Sequence, residues 1–162
     1  MSPRLLLVCL LAVGLAACQP KPAANAGDNA ANAKAAAEFL AKNKTEPGVK
    51  TTASGLEYKI IKSGPADGVP PKATDEVKVL YEGKLLDGTV FDSAYDRGAP
   101  EIFRVDEVVP GWTEALKLMR PGDEWMVYVP PKIGYGEDGR GGVPPNAVMI
   151  FHMELQGVFS HP

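Results

Sequence analysis

The chain has 162 residues, and its 17 basic against 20 acidic side chains give a formal charge of -3, which excludes the dense positive field that nucleic-acid binding needs. Hydrophobic content of 45% and charged content of 23% are globular proportions and exclude a wholly disordered chain. With 17 Gly and 15 Pro, about a fifth of the sequence punctuates regular structure, so many turns are expected rather than a helix bundle.

The chain opens with Arg4 and an apolar run over residues 5–18, too short to span a bilayer comfortably and suited to the hydrophobic region of an export signal. Leu15-Ala16-Ala17-Cys18 is similar to the lipobox of bacterial lipoproteins, which implies a signal peptide over residues 1–17 and a lipid on Cys18. An ordinary secretory signal cut after an Ala-x-Ala-like site is the alternative. Gln19 after the cysteine resembles outer-membrane sorting. Cys9 would leave with the signal, so no disulfide is expected, and the loss of Arg4 would take the formal charge from -3 to -4. A charge of that sign adds no membrane affinity, and the anchor would have to be the lipid.

Residues 18–47 read as an anchor tether followed by a short Ala-rich helix. Residues 19–27 carry Pro, Ala and Asn with little to bury. From Asp28, a plausible N-cap, the Ala-rich stretch favours a helix that ends before Pro47-Gly48. Phe39 and Leu40 are its only large apolar residues, so this helix must dock on something or fray.

Beyond Gly48 the pattern changes to period two: Leu56, Tyr58 and Ile60; Val77, Val79 and Tyr81; Trp125, Val127 and Val129; Met149, Phe151, Met153 and Leu155. These predict half-buried strands, with Asp87-Gly88 as a hairpin turn. One helical pattern interrupts them, with Trp112, Ala115, Leu116 and Met119 at i, i+3, i+4 and i+7 between two Pro-Gly pairs. The simplest way to bury both surfaces is an α+β domain, an antiparallel sheet wrapped around one short helix, over residues 48–160.

Residues 131–146 hold eight Gly or Pro in 16 positions, a loop long enough to be functional. Gly134, Gly136 and Gly139 spell GxGxxG, but Pro144-Pro145 and a strand follow instead of the helix N-terminus that phosphate binding requires. His152 alternates onto the solvent side and His161 lies in the tail. With no clustered His/Cys set, no calcium-loop spacing and no Gly-x-Ser-x-Gly elbow, neither a metal nor a cofactor is expected. Any chemistry falls to an apolar pocket. Apart from Phe39, every aromatic residue lies after Gly48; on composition alone these rings serve equally well as plain core.

Spacing adds a resemblance. Val79-Leu80-Tyr81-Glu82-Gly83, Asp87-Gly88-Thr89-Val90-Phe91-Asp92-Ser93, Val108-Val109-Pro110-Gly111-Trp112, Pro130-Pro131-Lys132-Ile133-Gly134-Tyr135-Gly136 and Val143-Pro144-Pro145-Asn146-Ala147 resemble the FKBP-type peptidyl-prolyl cis-trans isomerases in order, spacing and content. The resemblance covers residues 50–159. Upstream, Gly48-Val49-Lys50-Thr51-Thr52 and Ser54-Gly55-Leu56-Glu57-Tyr58 look like the approach to the domain in the Mip-like exported bacterial group, with that group's long helical dimerisation arm missing or much reduced.

The resemblance implies a pocket floored by Trp112 and walled by Tyr81, Phe91, Val108, Val109, Tyr135 and Phe151. In it the Tyr135 hydroxyl would bond a substrate carbonyl and the Val109 N–H would hold the peptide in register. Asp92 would pair with Arg97 and the Tyr81 hydroxyl; its alternative role is a turn-capping aspartate. Glu101 falls where compact relatives have an aromatic wall, so one wall is expected to be open or polar, and residues 138–143 are expected to overhang the pocket. The implied partners are proline-containing unfolded or partly folded exported proteins, macrolide inhibitors, and a membrane reached through Cys18. The expected place is the cell envelope, anchored at the outer membrane and facing the periplasm. A proline-binding holdase without turnover is the second expectation, and a structural envelope lipoprotein the third.

Overall fold

A computed structural model describes residues 26–160. The signal over residues 1–17, Cys18, all of the tether over residues 19–27 but its last two residues, which belong to a helix, and His161 lie outside the described residues.

The order of elements is α1 (Ala26–Asn43), β1 (Val49–Thr51), β2 (Glu57–Lys62), β3 (Glu76–Lys84), β4 (Val90–Ser93), β5 (Glu101–Arg104), α2 (Pro110–Leu118), β6 (Glu124–Val129) and β7 (Met149–Phe159), with a 3-10 turn at Pro131–Ile133. The strands form one antiparallel sheet in the order β1-β2-β6-β7-β3-β4. The outer edge of β3 is shared: Glu82, Gly83 and Lys84 pair with β4, whereas Glu76, Val77, Lys78 and Val79 pair with β5. The chain between these two partners, residues 94–100, therefore leaves the sheet and returns to the same strand.

Period-two patterning places Val77, Val79 and Tyr81, Trp125, Val127 and Val129, and Met149, Phe151, Met153 and Leu155 on one buried face. Against that face lies α2. Its Trp112, Ala115, Leu116 and Met119 are buried as the helical spacing predicts. Pro110 starts the helix where a missing N–H costs nothing, and the Met119 N–H closes it on the carbonyls of Ala115 and Leu116, at 3.1 Å each. Gly111 lets α2 approach β6 closely, since a Cβ there would sit 2.6 Å from Val129 Cγ1. The α+β architecture expected from the sequence is the one observed.

Three local expectations are corrected. α1 begins at Ala26, so Asp28 lies inside its first turn, where a carboxylate favours the helix dipole, and is not the cap. Ile60 alternates with Tyr58 yet is exposed, because β2 runs out past the core; the opposite neighbour Glu57 is the buried residue. Residues 101–104 form a strand that the sequence pattern did not announce, since its outward Ile102 is 58% exposed and masks the alternation.

α1 does not fray. Asn29, Asn32, Ala36, Phe39 and Asn43 fall three or four residues apart on one stripe, and all are wholly or partly buried. The Phe39 ring meets Tyr128 of β6 at 5.8 Å between centroids, and Asn43 Nδ2 donates to Glu57 Oε2 at 2.7 Å. At the other end of the helix, Asn32 Nδ2 donates to the Pro145 carbonyl at 2.9 Å and the Asn29 Oδ1 accepts from Asn146 Nδ2.

Candidate functional site

The curved inner face of the sheet, the start of α2 and the β6–β7 loop enclose a cavity of about 520 Å3. All eight residues expected there line it: Tyr81 from β3, Phe91 and Asp92 from β4, Val108 and Val109 before α2, Trp112 on α2, Tyr135 from the loop and Phe151 from β7. The indole of Trp112 is the hub. Tyr81, Phe151 and Phe103 pack against it edge to face, at 4.9, 5.1 and 5.5 Å, in the arrangement that aromatic quadrupoles favour. Phe91 extends the cluster through Phe151, at 5.6 Å and 89°. Gly83 makes this possible, because a Cβ there would lie 2.7 Å from both the Phe91 and Phe151 rings.

Sequence reasoning missed Phe103, Glu107 and Met149 as lining residues, whereas Arg140 belongs to the stretch 138–143 expected to overhang the pocket. Phe103 was visible as an aromatic residue but stood in an unrecognised strand. Its position corrects the expectation of an open wall: Phe103 occupies that side and touches both Tyr81 and Trp112. Glu101 takes up Arg97 instead, with Oε1 2.5 Å from Nε.

Asp92 is tied in place from two directions. The Tyr81 hydroxyl donates to its Oδ2 at 2.6 Å, and Arg97 Nη1 donates to its Oδ1 at 2.6 Å. Arg97 Nη2 donates to the Tyr81 oxygen at 3.0 Å, closing a three-membered ring of contacts. Burial alone would raise the Asp92 pKa, but the bonds from Tyr81 and Arg97 outweigh it and hold the carboxylate below its ordinary value. Burial pushes the Tyr81 hydroxyl the other way, upward, and its bond to Asp92 adds to the shift, so the phenol keeps its proton. The Tyr81–Asp92 pair is therefore not arranged to exchange a proton at neutral pH.

Donors without a partner are present at the cavity. Neither the Tyr135 hydroxyl nor the Val109 N–H bonds any described residue. The Trp112 Nε1 is buried without a partner. Among the described residues no group of three His, Cys, Asp or Glu side chains could hold a metal ion, and no helix is long and apolar enough to cross a membrane. His152 lies on the outer face of the sheet, stacked on Tyr95 and 2.7 Å from Glu124, away from the cavity.

Residues 68–156 match the family described as FKBP-type peptidyl-prolyl cis-trans isomerase, and residues 14–60 match the domain described as amino terminal to it. The chain is 50% identical over 128 residues to the peptidyl-prolyl cis-trans isomerase Mip of Coxiella burnetii, a match covering 78% of this chain and 55% of that protein. It is 48% identical over 121 residues to the outer membrane protein MIP of Legionella longbeachae, across 74% of this chain and 51% of the other. The chain thus spans about half the length of the curated relatives it matches. Its fold is similar to the crystal structure of FkpA from Escherichia coli, with a TM-score of 0.80 and 42% identity across 84% of this chain and 63% of that one. A peptidyl-prolyl cis-trans isomerase structure from Pseudomonas syringae matches with a TM-score of 0.75 and 36% identity, across 82% of this chain and 96% of that one.

Proposed function

Because the chain belongs to the FKBP-type peptidyl-prolyl cis-trans isomerase family, we propose that its aromatic cavity accelerates rotation about X-Pro bonds in exported polypeptides. The observation that carries this reading is the convergence of Tyr81, Phe91, Phe103, Trp112 and Phe151 from distant parts of the chain on one hollow of about 520 Å3.

Rotation of an X-Pro bond is slow because C–N resonance must be lost, a barrier of about 18 to 20 kcal/mol. A ten-thousandfold acceleration requires about 5.5 kcal/mol, which needs neither a covalent bond nor a proton transfer. The twisted amide separates less charge than the planar one, so aromatic walls that replace water around it favour it over the ground state. In this reading Trp112 floors the proline ring, with Tyr81, Phe91, Phe151, Val108 and Val109 around it. The free Tyr135 hydroxyl and the Val109 N–H bond substrate backbone. Asp92, held charged by Tyr81 and Arg97, fixes that wall and faces the rotating carbonyl.

Residues 48–160 are the unit we assign to this activity, with residues 1–17 as a signal, Cys18 as the lipid site and residues 18–47 as the linkage to the domain. The relative named as an outer membrane protein supports placing the chain in the cell envelope. Loss of membrane fractionation in Cys18→Ala tests the anchor. A macrolide with a proline-like ring would compete for the same hollow.

The activity is tested by refolding a protein limited by proline isomerisation with catalytic amounts of residues 19–162. A faster slow phase is expected, and an unchanged one overturns the reading. Asp92→Ala should lower turnover about tenfold or more, the usual scale for a lost charged partner in a site, with the circular dichroism of the fold retained.

A further inference from the structure

Asn29 and Asn32 touch neither the cavity nor any residue expected to bind substrate, yet each bonds the loop that carries Tyr135 and Arg140. We propose that these two asparagines of α1 are positioning residues: they strap the β6–β7 loop and so hold Tyr135 over the cavity. This inference rests on the isomerase reading above and extends it to the N-terminal helix.

The connection can be followed atom by atom. Asn29 accepts from the Asn146 side chain, and Asn32 donates to the Pro145 carbonyl at 2.9 Å. Asn146 sits at φ 54°, a left-handed conformation that asparagine tolerates better than most residues. Its N–H donates to the Gly136 carbonyl at 2.8 Å, which is the peptide next to Tyr135. Gly136 N–H in turn reaches the Pro131 carbonyl at 3.0 Å, and the Tyr135 carbonyl accepts from Gly139 N–H at 3.2 Å. The return strand of the loop is thus bonded on one side to α1 and on the other to the segment presenting Tyr135.

The loop needs such a strap. It carries glycines with positive φ at 136, 139 and 141, and each such residue costs conformational entropy to hold. Val143, buried in the core, and the Arg140–Val143 bridge hold its tip, but neither reaches the return segment at Pro145 and Asn146. Nor do the asparagines serve α1 itself, because Asn is a poorer helix former than the Ala residues around it.

That last point makes the test clean, since Asn29→Ala with Asn32→Ala strengthens the helix while removing the strap. In the full chain, amide hydrogen exchange at residues 134–146 should speed about tenfold while β3, β6 and β7 stay protected. The kcat/KM for an X-Pro peptide should fall about fivefold, the effect of about one net hydrogen bond, and the loss should lie in KM with kcat kept. Asn29→Asp in place of Asn29→Ala keeps one of the two bonds and should restore about half of the loss. Unchanged loop exchange and unchanged KM beside normal wild-type turnover would overturn the strap alone. A wild-type chain without turnover would remove the isomerase reading, and this role with it.

Discussion

The two α-helices among the described residues are held by opposite means. α2 is short and lies inside the curl of the sheet, fixed by Trp112, Ala115, Leu116 and Met119, all of them buried apolar side chains. α1 has 18 residues, twice the length, and lies on the outside, fixed by one buried alanine, one ring contact and three asparagine bonds. Buried area scales with apolar surface, so α2 is part of the core and α1 is an attachment to it.

The sharpest way to break this contrast is Leu116→Ala. It leaves a cavity where exposure is zero, and a loss of about 2 to 5 kcal/mol in denaturant unfolding of the whole domain is expected. A loss below about 1 kcal/mol would mean that α2 is not core. Phe39→Ala should cost about 1 kcal/mol, the scale of one aromatic pair with its partial burial, and the cost should appear as local opening of α1 in hydrogen exchange, not as global unfolding.

A smaller effect concerns Glu57, where α1 ends. Burial raises its carboxyl pKa, against the lowering effect of the Asn43 bond and the Lys44 charge. The folded state therefore holds this proton more tightly than the unfolded chain, and the stability it contributes below the ordinary carboxylate range is lost as pH rises through the folded pKa. Glu57→Gln keeps an oxygen for Asn43 and removes the titration, so the variant should gain on the wild type by about 1 kcal/mol or less between about pH 4 and neutrality. A wild type that instead gains on the variant with rising pH would reverse the assignment. Least of all, Lys34→Ala removes an i,i+4 contact to Glu38 at 3.8 Å between strongly exposed side chains, and thermal unfolding should not register a change above about 0.5 kcal/mol.

The same contrast explains what the sequence could disclose. α2 and the central strands were legible because apolar residues recur at the helical or strand period, and periodicity is what burial on one face imposes. The docked stripe of α1 was not, because Asn29, Asn32, Ala36 and Asn43 look like any exposed helix until their partners arrive from residues 57, 145 and 146. Within the cavity, the eight residues identified through the family's motifs all line it, and they stand in contiguous, patterned runs. Phe103 escaped because its strand is four residues long with an exposed isoleucine beside it. Glu101 stands 3.5 Å from the Tyr81 hydroxyl but is drawn to Arg97, an ion pair of long side chains that local pattern does not encode.

The chain's two tryptophans occupy unlike settings. Trp112 is the hub of the cavity, whereas Trp125 stacks on Tyr58 at 4.4 Å and 8° and does not line the cavity. Emission from one should respond to whatever enters the hollow, while the other stays constant, so the native chain carries its own optical gauge together with the internal standard needed to read it.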